Sequence, residues 1–214
     1  MKLFLWRQKN HPIESETLLM WAIEEYEAAK QNLDLFRESD LDSLFEFAPE
    51  GNEEEGEEGD LPFRIVKEPG GKPAVVDKNG EPYPVHVSVT HTGDWLACAV
   101  GDYPMGIDAE LKDRSVKAGL IRRICTEDEV QWLEQAMTEV PEEQKEEWLR
   151  QKLIWLWVRK EAYVKYLGTG IGEGLKTFSV LDQKNFTAVD VVEELELVVY
   201  SPEEEVEEIR WMKW

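Results

Sequence analysis

An α+β fold, with strands and helices mixed in two comparable halves, is the class this chain predicts. Three observations predict it. The first half carries short stretches of strict alternation, clearest in Val85-His86-Val87-Ser88-Val89, where the valines face one side and His86, Ser88 and Thr90 the other. The second half carries long helical spacing opened by N-terminal signals, Thr126-Glu127-Asp128-Glu129 and Pro141-Glu142-Glu143. At the midpoint an extended stretch presents the carboxylates Asp108 and Glu110, and a helix of the second half presents Glu161 and Lys165. A site assembled from both lies in the cleft between the halves, where ligand pockets are preferentially found.

Taken in order, Met1 to Arg7 reads as a strand. Glu16 to Leu35 reads as an amphipathic helix, because Leu19, Ile23, Tyr26 and Lys30 recur at helical spacing and Leu18, Ala22 and Ala29 widen the apolar stripe. Ser39 to Phe47 is a short helix. Glu50 to Asp60 has no apolar residue and reads as a solvated loop. Pro62 to Val66 is a strand, and Gly70-Gly71-Lys72-Pro73 a turn. Val85 to Val89, Trp95 to Val100 and Gly106 to Glu110 are separated by the turns Thr92-Gly93-Asp94 and Gly101-Asp102-Tyr103-Pro104, which predicts an antiparallel meander. Ala118 to Cys125 is a short helix. Thr126 is the N-cap of a helix to about Met137. The helix that starts at Pro141 continues to Leu167 and stops at Gly168, burying Leu149, Leu153, Trp157 and Val164. Phe178 to Leu181 and Leu195 to Tyr200 are strands, and Ile209 to Trp214 a last edge strand. No internal repeat is visible.

Composition excludes several classes. The 214 residues are 42% apolar with nine tryptophans, enough for a sizeable core. The formal charge of −22 argues against nucleic acid and against anionic membrane surfaces as partners. Cys98 and Cys125 match no zinc or redox spacing, and Leu3-Phe4-Leu5-Trp6 is far too short for a signal sequence, so the expected compartment is the cytoplasm. The charge is uneven: Lys112, Arg114, Lys117, Arg122 and Arg123 form a basic island with Asp113 the one acid among them. A positive patch on a negative protein suits an acidic partner.

The chemistry sits in two motifs. Asp108 and Glu110 at i and i+2 share one face of a strand. Glu161 and Lys165 at i and i+4 share one face of a helix. Three carboxylates and an ammonium from two elements are what a magnesium–diphosphate site needs, since Mg²⁺ divides its shell between protein carboxylates and substrate phosphates. His11 and His86 read as structural and Trp157 as core. Gly168-Thr169-Gly170-Ile171-Gly172 follows a helix, so the helix dipole points the wrong way for a phosphate loop.

Three stretches resemble the 4′-phosphopantetheinyl transferase superfamily, most closely its surfactin-activator (Sfp) type: Gly71-Lys72-Pro73; Val89-Thr90-His91-Thr92-Gly93 through Gly106-Ile107-Asp108-Ala109-Glu110; and Trp157 to Lys165 with its glycine tail. Their order and spacing match as well as their letters, over roughly residues 60 to 182. The small trimeric holo-carrier synthases have a similar Gly-Ile-Asp near the start of a shorter chain, so the two-lobed type is the better match. The resemblance implies two similar α+β lobes in a pseudo-dimeric arrangement with the active site in the cleft between them. Residues 1–108, with the acidic loop 50–60, are then the N-terminal lobe and 109–214 the C-terminal lobe. An internally paired chain needs no partner subunit, so a monomer is expected.

The implied activity is transfer of the 4′-phosphopantetheine arm of coenzyme A to a serine of an apo acyl or peptidyl carrier protein, with Mg²⁺ as cofactor. Asp108, Glu161 and Lys165 are the implied catalytic residues. Asp108, Glu110 and Glu161 are the implied metal ligands, with Glu161 either third ligand or the base that takes the serine proton. Lys72, Thr90, His91 and Lys165 are implied to bind coenzyme A, and the Lys112–Arg123 island to dock the carrier. The chain departs from the family in its acidic loop and in lacking a clear N-terminal basic cluster for the 3′-phosphate, where Lys9, Lys30 and Arg37 are the available substitutes. The alternative is a coenzyme A-binding regulatory relative without transfer activity, against which the intact set Asp108, Glu110, Glu161 and Lys165 argues.

Overall fold

A computed structural model describes residues 1–9, 11–30, 61–117, 119–170 and 174–212. The predicted helix 39–47, the acidic loop 50–60 and the far end of the helix 16–35 lie outside the described residues.

Strand β1 (Lys2–Arg7) is buried on both faces, with Leu3 and Leu5 on one and Phe4 and Trp6 on the other. Such two-sided burial belongs to a central strand. β1 pairs antiparallel with β5 (Trp95–Gly101) and parallel with β9 (Glu208–Trp211). β5 pairs in turn with β4 (His86–Thr92), giving the sheet order β4-β5-β1-β9. The Phe4 and Trp6 face is covered by α1 (Ser15–Lys30) and by the hairpin of β2 (Phe63–Lys67) and β3 (Pro73–Asp77).

The Leu3 and Leu5 face packs on a second sheet. It contains β6 (Gly106–Leu111), β8 (Leu195–Tyr200) and β7 (Phe186–Ala188), in the order β6-β8-β7. Ile107, Leu197 and Val199 meet Leu3, Leu5 and Ala97 in the core between the sheets. Burying each such side chain contributes roughly 1.5–3 kcal/mol. On the outer face of the second sheet lies the long helix Lys145–Leu167, which follows α2 (Leu120–Ile124) and α3 (Glu127–Met137) and is α4. Its Ile154, Val158 and Ala162 rest near Val198 and Tyr200 of β8, and its Leu153, Leu156 and Val164 meet Ile124 and Leu133 of the two preceding helices. The molecule is thus a stack of helix with hairpin, sheet, sheet, and helices, which bears out the α+β class. Among the described residues no helix is long and apolar enough to cross a membrane.

Local signals behaved as chemistry dictates. Thr126 and Glu129 close a reciprocal capping box, and Gly168 ends α4 in the left-handed region at φ 72°. Three expectations are corrected. The meander stops at β5, because the doubly buried β1 takes the second edge of β5; buried Met105 carries the chain across, and β6 pairs with β8 instead. The segment 178–181 is not a strand, because side chains take its backbone groups: Lys160 Nζ donates to the Phe178 carbonyl, and the Val180 N–H donates to Glu129. The strand of that region is β7. The last strand is Glu208–Trp211, and residues 213–214 lie outside the described set. β3, with Pro73 at its start, escaped the sequence reading.

The chain carries 46 acidic against 24 basic side chains, so like charges outnumber partners and self-repulsion opposes the compact state. Raising NaCl from about 0.05 M to about 0.5 M shortens the screening length severalfold. The melting temperature is expected to rise by at least about 2–4 °C, the shift that roughly 1 kcal/mol produces in a chain of this size. Calorimetry at the two salt concentrations checks this; an unchanged or lower Tm would show that surface ion pairs outweigh the repulsion.

Candidate active site

β4 and β6 run side by side without a backbone ladder. The Ile107 N–H donates to Ser88 Oγ at 3.1 Å, and the Ala109 N–H to Thr90 Oγ1 at 3.3 Å. The alternation that buries Ser88, Thr90 and Thr92 on one face of β4 thus satisfies the edge of β6 with hydroxyls. The same hydroxyls hold the carboxylates: Thr90 Oγ1 donates to Asp108 at 2.9 Å and Thr92 Oγ1 to Glu110 at 2.5 Å. Both carboxylates are buried.

α4 brings the remaining groups. Lys165 Nζ lies 2.8 Å from Asp108 Oδ1 and donates also to the Val89 carbonyl at 3.2 Å. One turn earlier, Glu161 is buried and its Oε1 has no hydrogen-bond partner among the described residues. Burial first, and the Asp108 charge second, push the Glu161 carboxyl up to about 7, while Lys165 opposes them. Two acids and one ammonium leave this cluster short of positive charge.

The cluster opens on a hollow of about 320 Å³. Its walls are the turn Gly70–Pro73 on one side and Glu161, Lys165 and Gly168 on the other, with Val89 between them. The backbone of the turn touches the end of α4: a Cβ at Gly70 would stand 2.4 Å from the Gly168 carbonyl oxygen. Lys72 reaches over from this turn and donates to the Tyr166 carbonyl at 3.0 Å, as a cap on the last turn of the helix. Burial lowers its pKa, with the Glu68 charge in opposition.

The structure therefore brings Glu161, Lys165 and Lys72 to one hollow, with Asp108 set behind its wall and paired with Lys165. It does not bring His91 there: His91 is exposed on the side of β4 opposite Thr90 and does not line the hollow. Thr90 spends its hydroxyl on the seam. Glu110 faces a second hollow of about 310 Å³, where it is ion-paired with Arg114. Lys117 and Arg123 line this second hollow beside an apolar floor of Val116, Leu120 and Trp157, so Trp157 is both core and lining. Among the described residues no three His, Cys, Asp or Glu side chains form a metal cage by themselves. Sequence reasoning missed Thr92, whose place opposite Glu110 follows from the same alternation as Thr90. It also missed Lys160, which looked like a routine helix cation.

Comparison with known proteins bears on this stretch. The family model of the 4′-phosphopantetheinyl transferase superfamily matches residues 104–197. The 4′-phosphopantetheinyl transferase psf-1 of Bacillus pumilus is 35% identical over 94 residues, 44% of this chain and 36% of that protein. A 4′-phosphopantetheinyl transferase of Bacillus subtilis is 30% identical over 118 residues, 53% of this chain and 49% of that protein. The transferase Sfp of Bacillus subtilis strain 168 is 29% identical over 118 residues, 55% of this chain and 47% of that protein. The matches span less than half the length of each of these relatives. Over residues 104–197, the stretch that holds Asp108, Glu110, Glu161 and Lys165, this chain is similar to the 4′-phosphopantetheinyl transferase superfamily, and the relatives it matches include Sfp itself.

Proposed function

We propose that this protein transfers the 4′-phosphopantetheine arm of coenzyme A to a serine of an apo acyl or peptidyl carrier protein and releases 3′,5′-ADP. The observation that carries the reading is the Asp108–Lys165–Glu161 cluster, assembled from two elements, with Glu161 and Lys165 lining one hollow. The names of the relatives support it.

The residues fit a divalent cation. The unpartnered Glu161 oxygen beside Asp108 is a donor set lacking a positive charge, and Mg²⁺ requires only one or two protein carboxylates when phosphates complete its shell. Asp108 and Glu161 would hold it, with Glu110, now paired with Arg114, as the outer member. Bound there, Mg²⁺ would neutralise the diphosphate and offset charge on the leaving phosphate.

The chain's own groups account for the rest. The hollow would admit the diphosphate between the Gly70–Pro73 turn and α4, and its walls would orient the β-phosphorus. Lys165 holds its ammonium at the mouth, where charge builds on the oxygen that departs with 3′,5′-ADP. The serine oxygen forms a bond to the β-phosphorus as the diphosphate linkage breaks, and the serine proton needs an acceptor. Glu161, with its pKa near 7, suits that task close to neutral pH, and its place beside Asp108 suits metal ligation equally. Lys72, which lines the same hollow, would meet the nucleotide side of the diphosphate.

The two-lobe, pseudo-dimeric reading, with residues 1–108 and 109–214 as lobes, is part of the proposal. It is supported by the paired layers, one sheet under α1 and one under α4, with the hollow walled from both halves. The second hollow, with its basic rim beside Glu110, is proposed to receive the acidic helix of the carrier. Arg122→Glu/Arg123→Glu is expected to raise the carrier KM about tenfold at low salt and to leave the coenzyme A KM unchanged. Steady-state kinetics at two salt concentrations read this, and an unchanged carrier KM removes the docking assignment.

The activity itself is tested by mass. Incubation with coenzyme A, Mg²⁺ and an apo carrier should add one phosphopantetheine to the carrier. Coenzyme A binding without that gain would identify a relative that has lost transfer.

A further inference from the structure

We propose that Glu129 and Lys160 act as a positioning pair that fixes the glycine-bearing lip of the hollow and the rotation of α4, and so sets the affinity for coenzyme A; this rests on the function proposed above.

Both side chains are 0% exposed, and Lys160 Nζ lies 2.9 Å from Glu129 Oε2. The ammonium uses its other two donors on the carbonyls of Leu175, at 2.8 Å, and Phe178, at 2.5 Å. Glu129 accepts from the Val180 N–H at 3.0 Å and from the Thr126 N–H at 2.9 Å. The Phe178 ring lies 4.7 Å from the ammonium and 4.9 Å from the Tyr163 ring. One fully satisfied buried pair therefore ties together the start of α3, the middle of α4 and the segment Leu175–Val180.

Two consequences reach the hollow. Lys160 and Glu161 are consecutive on a helix and so point about 100° apart. Anchoring Lys160 on the inner side fixes the direction in which Glu161 leaves the helix. The segment Leu175–Val180 also begins five residues after Gly170, which with Gly168 lines the hollow. Holding Leu175–Val180 limits how far the nearby glycines Gly168 and Gly170 can move. An apolar pair of similar volume can match a buried ion pair in stability, but it cannot donate to the two carbonyl oxygens. Position, more than stability, is what the charged pair provides.

The test is Glu129→Met/Lys160→Met, with Lys160→Met alone as control. The single variant leaves Glu129 buried and unpaired, and should lose much of its thermal stability. The double variant should recover most of that loss. Its amides from Leu175 to Val180 should nevertheless exchange with deuterium faster than in the wild type. Its coenzyme A Kd by calorimetry should rise about tenfold or more, as loss of an outer positioning partner typically produces. A folded double variant with wild-type exchange in that segment, or with faster exchange but wild-type coenzyme affinity, overturns the proposal. A wild-type protein that binds no coenzyme A overturns the proposed function and this inference together. Binding by the wild type and equally by the double variant overturns the inference alone.

Discussion

Glu161→Gln is expected to lower the transfer rate by about 10²–10⁴-fold, the usual contribution of a positioned acid–base group. The same change is expected to make the metal-free protein more stable above neutral pH. The second effect follows from the raised pKa. In the folded chain the Glu161 carboxyl titrates at about 7, against an ordinary value of 4.5, chiefly because it is buried and secondly because Asp108 is beside it. Between these values the native state binds a proton that the unfolded chain gives up. The native state then holds more protons than the unfolded state, so stability falls as pH rises through this window and stays lowered above it. Glutamine carries no such penalty. With allowance for partial solvent access, the gain at pH 8 is on the order of 2 kcal/mol, which corresponds to about 4–8 °C in Tm. The difference should vanish below the ordinary carboxyl range. Calorimetry of both proteins at acid and alkaline pH, without divalent cation, measures it. A variant no more stable than wild type at pH 8 would mean that Glu161 is ionised without strain. Full turnover would mean that it has no part in the reaction.

The sequence disclosed faces better than partners. Alternation in β1, β4 and β5 shows which side chains share a side, and the capping box at Thr126 and the stop at Gly168 are local, so these elements were legible. Which strand lies beside which is settled by distant residues. That is why β6 read as the third strand of a meander, although burial on both faces of β1 claims the edge of β5. The residues Phe178-Ser179-Val180-Leu181 have the composition of a strand, yet a buried lysine eighteen positions earlier takes the Phe178 carbonyl. In the candidate site, the spacings i,i+2 and i,i+4 paired Asp108 with Glu110 and Glu161 with Lys165, but the meeting of the two elements is tertiary, and Glu110 turns to the second hollow. Thr90 and His91 were both read as ligand contacts, but consecutive strand residues face opposite ways, and only one of them can face Asp108. Glu129 was legible as a capping residue, and nothing local showed that its carboxylate also reaches Lys160.

Gly106→Ala is expected to destabilise the fold by about 3 kcal/mol or more and to remove activity with it, the upper end of what overpacking produces. Gly106 opens β6 directly beneath α4. A Cβ there would lie 1.9 Å from the Ala162 carbonyl oxygen and 2.5 Å from the Tyr166 nitrogen. Both obstructing atoms are helix backbone, so no rotamer change relieves the overlap, and the helix must lift from the sheet. Ala162 follows Glu161, and Tyr166 follows Lys165, so the groups displaced are those that face Asp108. A shift near 1 Å at that point costs about 10²-fold in rate even where the fold survives. Urea unfolding of Gly106→Ala and its turnover with coenzyme A and a carrier test both parts. A variant with wild-type midpoint and wild-type turnover would show that α4 does not need this close approach. A variant that folds well but turns over slowly would place the function of the glycine in seating Glu161 and Lys165 against β6.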